Sequence, residues 1–84
     1  SKPLQKRVIS EITEEKIMDI TDDSKGEVSW NDIYRIEELK EWFLFYYSNN
    51  MFGLSPKRVM RKEQISELRT IIRQKRIRFK LKND

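Results

Sequence analysis

Five basic side chains, Arg58, Lys62, Arg69, Arg73 and Arg76, recur at intervals of three, four and seven residues in the last third of an 84-residue chain. On a helix, where each residue advances by about 100°, all five project within an arc of about 60°. Four are arginines, whose planar guanidinium can clamp a phosphate with two parallel hydrogen bonds. Like charges three or four residues apart repel, so the row costs about 1 kcal/mol in isolation. A polyanion would remove that cost by neutralising the row and releasing its own counterions. Lys57, Arg61, Lys80 and Lys82 extend the same basic surface. The chemistry expected of these nine residues is phosphate contact, which positions a nucleic acid without reading its sequence.

Catalytic chemistry finds little to use. The chain has neither cysteine nor histidine, which excludes disulfides, thiol nucleophiles, Cys/His zinc sites and imidazole acid–base catalysis. No glycine-rich phosphate loop or nucleophile elbow is present, and Glu37, Glu38 and Glu41 read as the solvated face of a helix. The expectation is a protein that is not an enzyme and needs no metal or cofactor.

Charge is segregated along the chain. Residues 1–54 hold 7 Lys/Arg against 11 Asp/Glu, whereas residues 55–84 hold 11 against 3. Such a distribution gives the molecule a directed field, favourable to association with an anion. The length suits one small domain, with an acidic and apolar helical part over 1–54 and a basic helix and tail over 55–84. The longest apolar run, Trp42 to Tyr47, is far short of the roughly 20 residues that cross a bilayer. No signal peptide is recognisable near Ser1. An intracellular protein without a membrane partner is expected, with cytoplasm and nucleus not distinguished.

The elements that must position the basic row read as mainly α: a small three- to four-helix domain, with a short C-terminal strand as an option. Pro3, followed by Leu4, Val8 and Ile12 at intervals of four, suggests one or two helices over the first twenty residues, although the β-branched "RVISEIT" also permits a strand. "TDDSKGE" (21–27) is a turn, with Gly26 expected at positive φ. Ser29 and Asp32 form a capping-box pattern ahead of "WNDIYRIEELKEWFLFYYSNN", where Ile33, Ile36, Leu39, Phe43 and Tyr47 share one helical side. Its end, "WFLFYY", is apolar all round, so it must be enclosed or must face a partner; Asn49, Asn50 and Gly53 then stop the helix. Ser55-Pro56 starts the basic helix, whose Ile65, Leu68 and Ile72 face the core, flanked by Met60 and Ile71. In "RIRFKLK" (76–82) Ile77, Phe79 and Leu81 alternate with cations, the pattern of a strand that would pair with "RVISEIT" or "GEVSW".

Three stretches resemble known motifs. "TDDSKGEVSWND" resembles the loop of an EF-hand in its Gly26, Val28 and Asp32. Thr21 and Lys25 stand where that loop requires oxygen ligands, however, which speaks against calcium. "GLSPKRVMRKEQISELRTI" is similar to the second-helix region of the DNA-clamping domain of tyrosine recombinases, and "ELK" with "GLSPK" and "ISEL" is similar to the SAP type of DNA-binding motif. Both resemblances imply a DNA partner.

The function expected from the sequence is therefore nucleic-acid binding through a cationic helix face, with DNA favoured over RNA. The alternative is a protein–protein interaction or dimerisation module, in which Trp42, Phe45, Tyr46 and Tyr47 and the basic helix dock an acidic partner.

Overall fold

A computed structural model describes residues 7–81 and contains one helix beside a seven-stranded sheet. The expected three- to four-helix bundle is thereby overturned. The strands are β1 (Val8–Ile12), β2 (Ile17–Ile20), β3 (Lys25–Val28), β4 (Arg35–Glu38), β5 (Trp42–Tyr46), β6 (Phe52–Pro56) and β7 (Arg78–Lys80). The helix α1 (Lys62–Gln74) lies between β6 and β7. Two antiparallel meanders, β1–β3 and β4–β6, stand side by side in the order β3-β2-β1-β6-β5-β4-β7. They are joined where β1 runs parallel to β6, in register at Val8 and Leu54. After α1 the chain returns as β7, parallel to β4.

The central segment read as a helix is instead two strands and a short 3-10 turn. In β4 and β5 burial alternates residue by residue, with Ile36, Glu38, Phe43 and Phe45 inside and Arg35, Glu37, Trp42, Leu44 and Tyr46 outside. That period of two explains "WFLFYY" better than an all-round apolar helix end does, because aromatic and β-branched residues favour a pleated surface packed on one side. Leu39, Lys40 and Glu41 form the turn between the two strands, closed by the Leu39 N–H donating to the Trp42 carbonyl at 2.8 Å. Ser29 does cap, but it caps Trp30–Asp32, where its Oγ accepts from the Asn31 N–H at 3.2 Å. Asn49 and Asn50 lie in the β5–β6 turn, closed by the Tyr47 N–H on the Met51 carbonyl.

At the N-terminus the strand option for "RVISEIT" holds over β1, which carries a bulge between Ile9 and Glu11; Pro3 and Leu4 lie outside the described residues. Gly26 does not adopt positive φ. It sits within β3 opposite Asp19, where a Cβ would come to 2.6 Å from Asp19 Oδ1. The turn Thr21–Ser24 links two strands, not two helices, which removes the EF-hand context. Ser55-Pro56 ends β6, and α1 begins at Lys62, where Gln64 Oε1 accepts the Arg61 N–H at 2.8 Å. The C-terminal strand forms over three residues and pairs with β4, not with the expected N-terminal segments. Ile77 and Leu81 pack on the core while Phe79 remains exposed.

The core lies on one face of the sheet. Ile9, Ile17, Ile36, Phe43 and Phe45 come from the strands, Trp30 and Ile33 from the crossover, and Leu68 and Ile72 from α1. The helix face expected to be core is therefore core, with Ile65 and Ile71 half-buried at its margins. Trp30 packs edge-on to Phe45, with ring centroids 6.2 Å apart, and its indole N–H donates to the Thr13 carbonyl at 2.8 Å.

Candidate interaction surface

The basic row does not survive as one outward ridge. Arg69 turns inward from α1 to meet Glu38, the innermost acid of β4, donating from Nε at 3.0 Å and from Nη2 at 2.7 Å. Lys57 donates to the same carboxylate at 2.5 Å and lies over the Phe43 ring. The Glu38 side chain is wholly buried, and those of Lys57 and Arg69 are 13% and 14% exposed. A carboxylate placed among Phe43 and Ile36 is tolerable because charge and hydrogen bonds are both met there. The sequence grouped Glu38 with a solvated acidic face; only the period of two puts it inside.

Arg58, Lys62, Arg73 and Arg76 are exposed, as is Arg61, which lies 3.8 Å from Glu63. Lys80 stands on β7 opposite Glu37. Lys82 lies outside the described residues. The structure also brings Lys57 and Arg58 beside Trp42, with Lys40, around a basin of about 290 Å³ at the β4–β5 turn. A second cleft, of about 300 Å³, opens between β1 and α1 over Ile9, Ile12, Leu68 and Ile71, with Glu11 and Glu67 at its rim.

The four aromatic residues expected to form a partner patch divide between the faces. Phe45 is wholly buried in the core. Tyr47 points inward and donates to Asp19 Oδ2 at 2.8 Å, while Arg7 Nη1 approaches the same oxygen at 3.4 Å. Burial, and then the hydrogen bond to that carboxylate, hold the Tyr47 phenol well above the ordinary tyrosine value. Gly53 makes room for it, since a Cβ there would collide with Tyr47 Oη and Ile9 Cδ1. Trp42 and Tyr46 point outward.

The outer sheet face carries more apolar side chains than those two. Cross-strand register places Leu44, Leu54, Val8 and Ile20 in one line over β5, β6, β1 and β2. Tyr46 and Phe52 stack beside that line at 5.3 Å, with the Arg35 guanidinium 3.8 Å above the Tyr46 ring. Met18, Trp42 and Pro56 flank it on the other side. None of these nine belongs to the core cluster or to the residues packed on it. The signal was present in the sequence as alternation in "WFLFY", "IMDI" and "FGLSP", masked by matches to a helical period.

Among the described residues no cluster of acidic side chains could hold a metal ion, and no helix is long and apolar enough to cross a membrane. Neither a curated protein nor a solved structure matches the chain. The family model described as "YcxB-like protein" matches residues 12–72, from the end of β1 through the buried turns of α1. With most of its length matched by that model, the chain belongs to the YcxB-like protein family.

Proposed function

We propose that this protein is a non-enzymatic docking module that binds a protein partner through the outer face of its sheet. The observation that carries this reading is the line Leu44, Leu54, Val8 and Ile20 with its neighbours Tyr46 and Phe52. An antiparallel sheet covered on one side normally alternates apolar inside with polar outside. Here the outward positions of β2, β5 and β6, with Val8 of β1, are apolar as well, and contiguous apolar surface of this kind belongs to interfaces. The buried carboxylates do not favour catalysis: Glu38 is held by Lys57 and Arg69 and Asp19 by Tyr47 and Arg7, and neither lines a cleft.

A photo-crosslinking side chain in place of Leu54 tests the reading in the producing cell, with one in place of exposed Thr70 on α1 as control. The Leu54 probe is expected to couple to protein, identified by mass spectrometry, and the Thr70 probe is not. Coupling of the Leu54 probe to lipid or nucleic acid alone, or to nothing, overturns it.

One observation favours a second reading, the binding of unpaired nucleic acid. Trp42 offers a stacking plane beside Lys40, Lys57 and Arg58. Titration with single-stranded RNA and DNA at two salt concentrations tests it: affinity must fall with salt and with Lys40→Glu plus Arg58→Glu. Unchanged affinity in that double variant removes this reading.

A further inference from the structure

We propose that the partner on the outer sheet face is the same face of a second copy of this chain, a step that rests on the docking reading above and names its occupant. The warrant is charge complementarity between the two ends of that face.

β6 is the middle strand of the seven, and Leu54 stands at the centre of the apolar line. On the β4–β7 side the face and its rim carry Arg35, Arg78, Lys80 and Lys40, with Glu37 and Glu41 as counter-charges. On the β1–β3 side they carry Glu11, Glu27 and the turn acids Asp22 and Asp23, with Lys25. One end is cationic, the other acidic, and the middle is apolar.

Register also fixes the levels at which these charges stand. Arg78 and Arg35 are level with Tyr46 and Phe52. Asp22, two residues beyond Ile20, falls on that level, because Ile20, Val8 and Leu54 are in line and Phe52 is two residues before Leu54. On the opposite side of the line, Trp42 and Pro56 are level with Met18 and Glu27, while Lys40 lies in the turn beyond them.

A two-fold axis parallel to the strands, passing beside β6, places β7 of each copy over β3 of the other and β4 over β2. Arg35 and Arg78 then meet the turn acids Asp22 and Asp23, Leu44 lies over Val8 with Leu54 at the axis, and the one like-charge approach is Lys80 over Lys25, with Glu37 beside Lys80. An axis across the strands would set each cationic end against itself. Such a closed arrangement is isologous: every contact is made twice, and no face is left to propagate a fibre. Apolar area supplies the attraction, while the charges select the orientation.

Sedimentation of the purified chain over a concentration series tests the proposal. The expected result is a reversible monomer–dimer equilibrium that weakens with added salt. Arg78→Glu, and separately Asp22→Lys with Asp23→Lys, change only exposed residues. Each of these variants is expected to raise the dimer dissociation constant by roughly tenfold or more, and an equimolar mixture of the two to restore association as a heterodimer. Circular dichroism establishes that both variants remain folded. A wild-type chain that stays monomeric, or a mixture that fails to recover, overturns the second copy as occupant. If the Leu54 probe still couples to a different protein, the docking reading survives that failure; if it couples to no protein, both fall.

Discussion

Glu38 gathers Lys57 and Arg69 around one buried carboxylate, and that arrangement determines what the basic segment has left to offer a ligand. Buried charges of this kind are often replaceable as a set, but removing one partner strands the others. Glu38→Gln is therefore expected to cost about 3–5 kcal/mol, read as a lower urea midpoint with an unchanged slope. A neutral result would mean that the two cations are not held by Glu38 and are available to a phosphate. Tyr47 has a different dependence, on pH. Unfolded tyrosine ionises near pH 10, whereas the native phenol, buried and donating to Asp19, holds its proton to higher pH. Above about pH 10 the native state binds more protons than the unfolded one, so this contribution is complete below that value and is lost as pH rises toward the folded one. The alkaline fall in thermal midpoint should shrink in Tyr47→Phe, which also loses about 1–3 kcal/mol at neutral pH through the donor taken from Asp19. Gly53→Ala should cost about as much, from collision with the Tyr47 hydroxyl, and less in a Tyr47→Phe background.

At the scale of elements, α1 is held by a few residues on one side. Ile72→Ala, at a wholly buried position, is expected to lose about 2–5 kcal/mol, and Thr70→Ala, on the exposed flank, about 0.5 kcal/mol or less in either direction, both read by denaturant titration. This helix was legible in the sequence because Ile65, Leu68 and Ile72 fit a period of 3.6 and conflict with a period of two. The central segment was not. Ile33, Ile36, Leu39, Phe43 and Tyr47 also fit a helical side, and the turn at Leu39, Lys40 and Glu41 carries no glycine, proline or asparagine to break the pattern. What separates the two periods there is β propensity, since Trp42–Tyr46 is aromatic or aliphatic at every place and pairs on both edges. The candidate surface suffered the same ambiguity. Trp42 and Tyr46 stand out in the sequence as aromatic residues, but Leu44, Leu54, Val8 and Ile20 join them through cross-strand register, which no local pattern encodes. A helical wheel groups Arg69 with the phosphate contacts because it shows angle and not the buried acid on a strand 31 residues away.

For the molecule as a whole, the critical feature is the joint between the two meanders. β1 and β6 are in register at Val8 and Leu54, with the Leu54 N–H donating to the Arg7 carbonyl at 2.9 Å. Beyond that pair the strands part, and the cleft under α1 opens between them. Much of the continuity across the joint is therefore made by side chains: Tyr47 reaches from the end of β5 to Asp19 in β2, and Ile9 packs against the site of Gly53. A small domain held together in this way should open in parts, because regions with few cross-links exchange at lower free energy than the global value. Tyr47→Phe cuts the polar tie while leaving the backbone ladders within each meander untouched. In native-state hydrogen exchange, amides of β2 and β3 are expected to lose protection by a larger factor than those of β5 and β6, as the N-terminal meander swings away from a core retained by Phe43, Phe45, Leu68 and Ile72. Equal losses across all four strands would show one cooperative unit, with the Asp19–Tyr47 contact contributing to its stability but marking no seam. The unequal result would tie the surface to the fold, because Val8 and Ile20 lie on one side of the joint and Leu44 and Leu54 on the other. A partner spanning that line would then close the seam, and its binding would restore the protection that Tyr47→Phe removes.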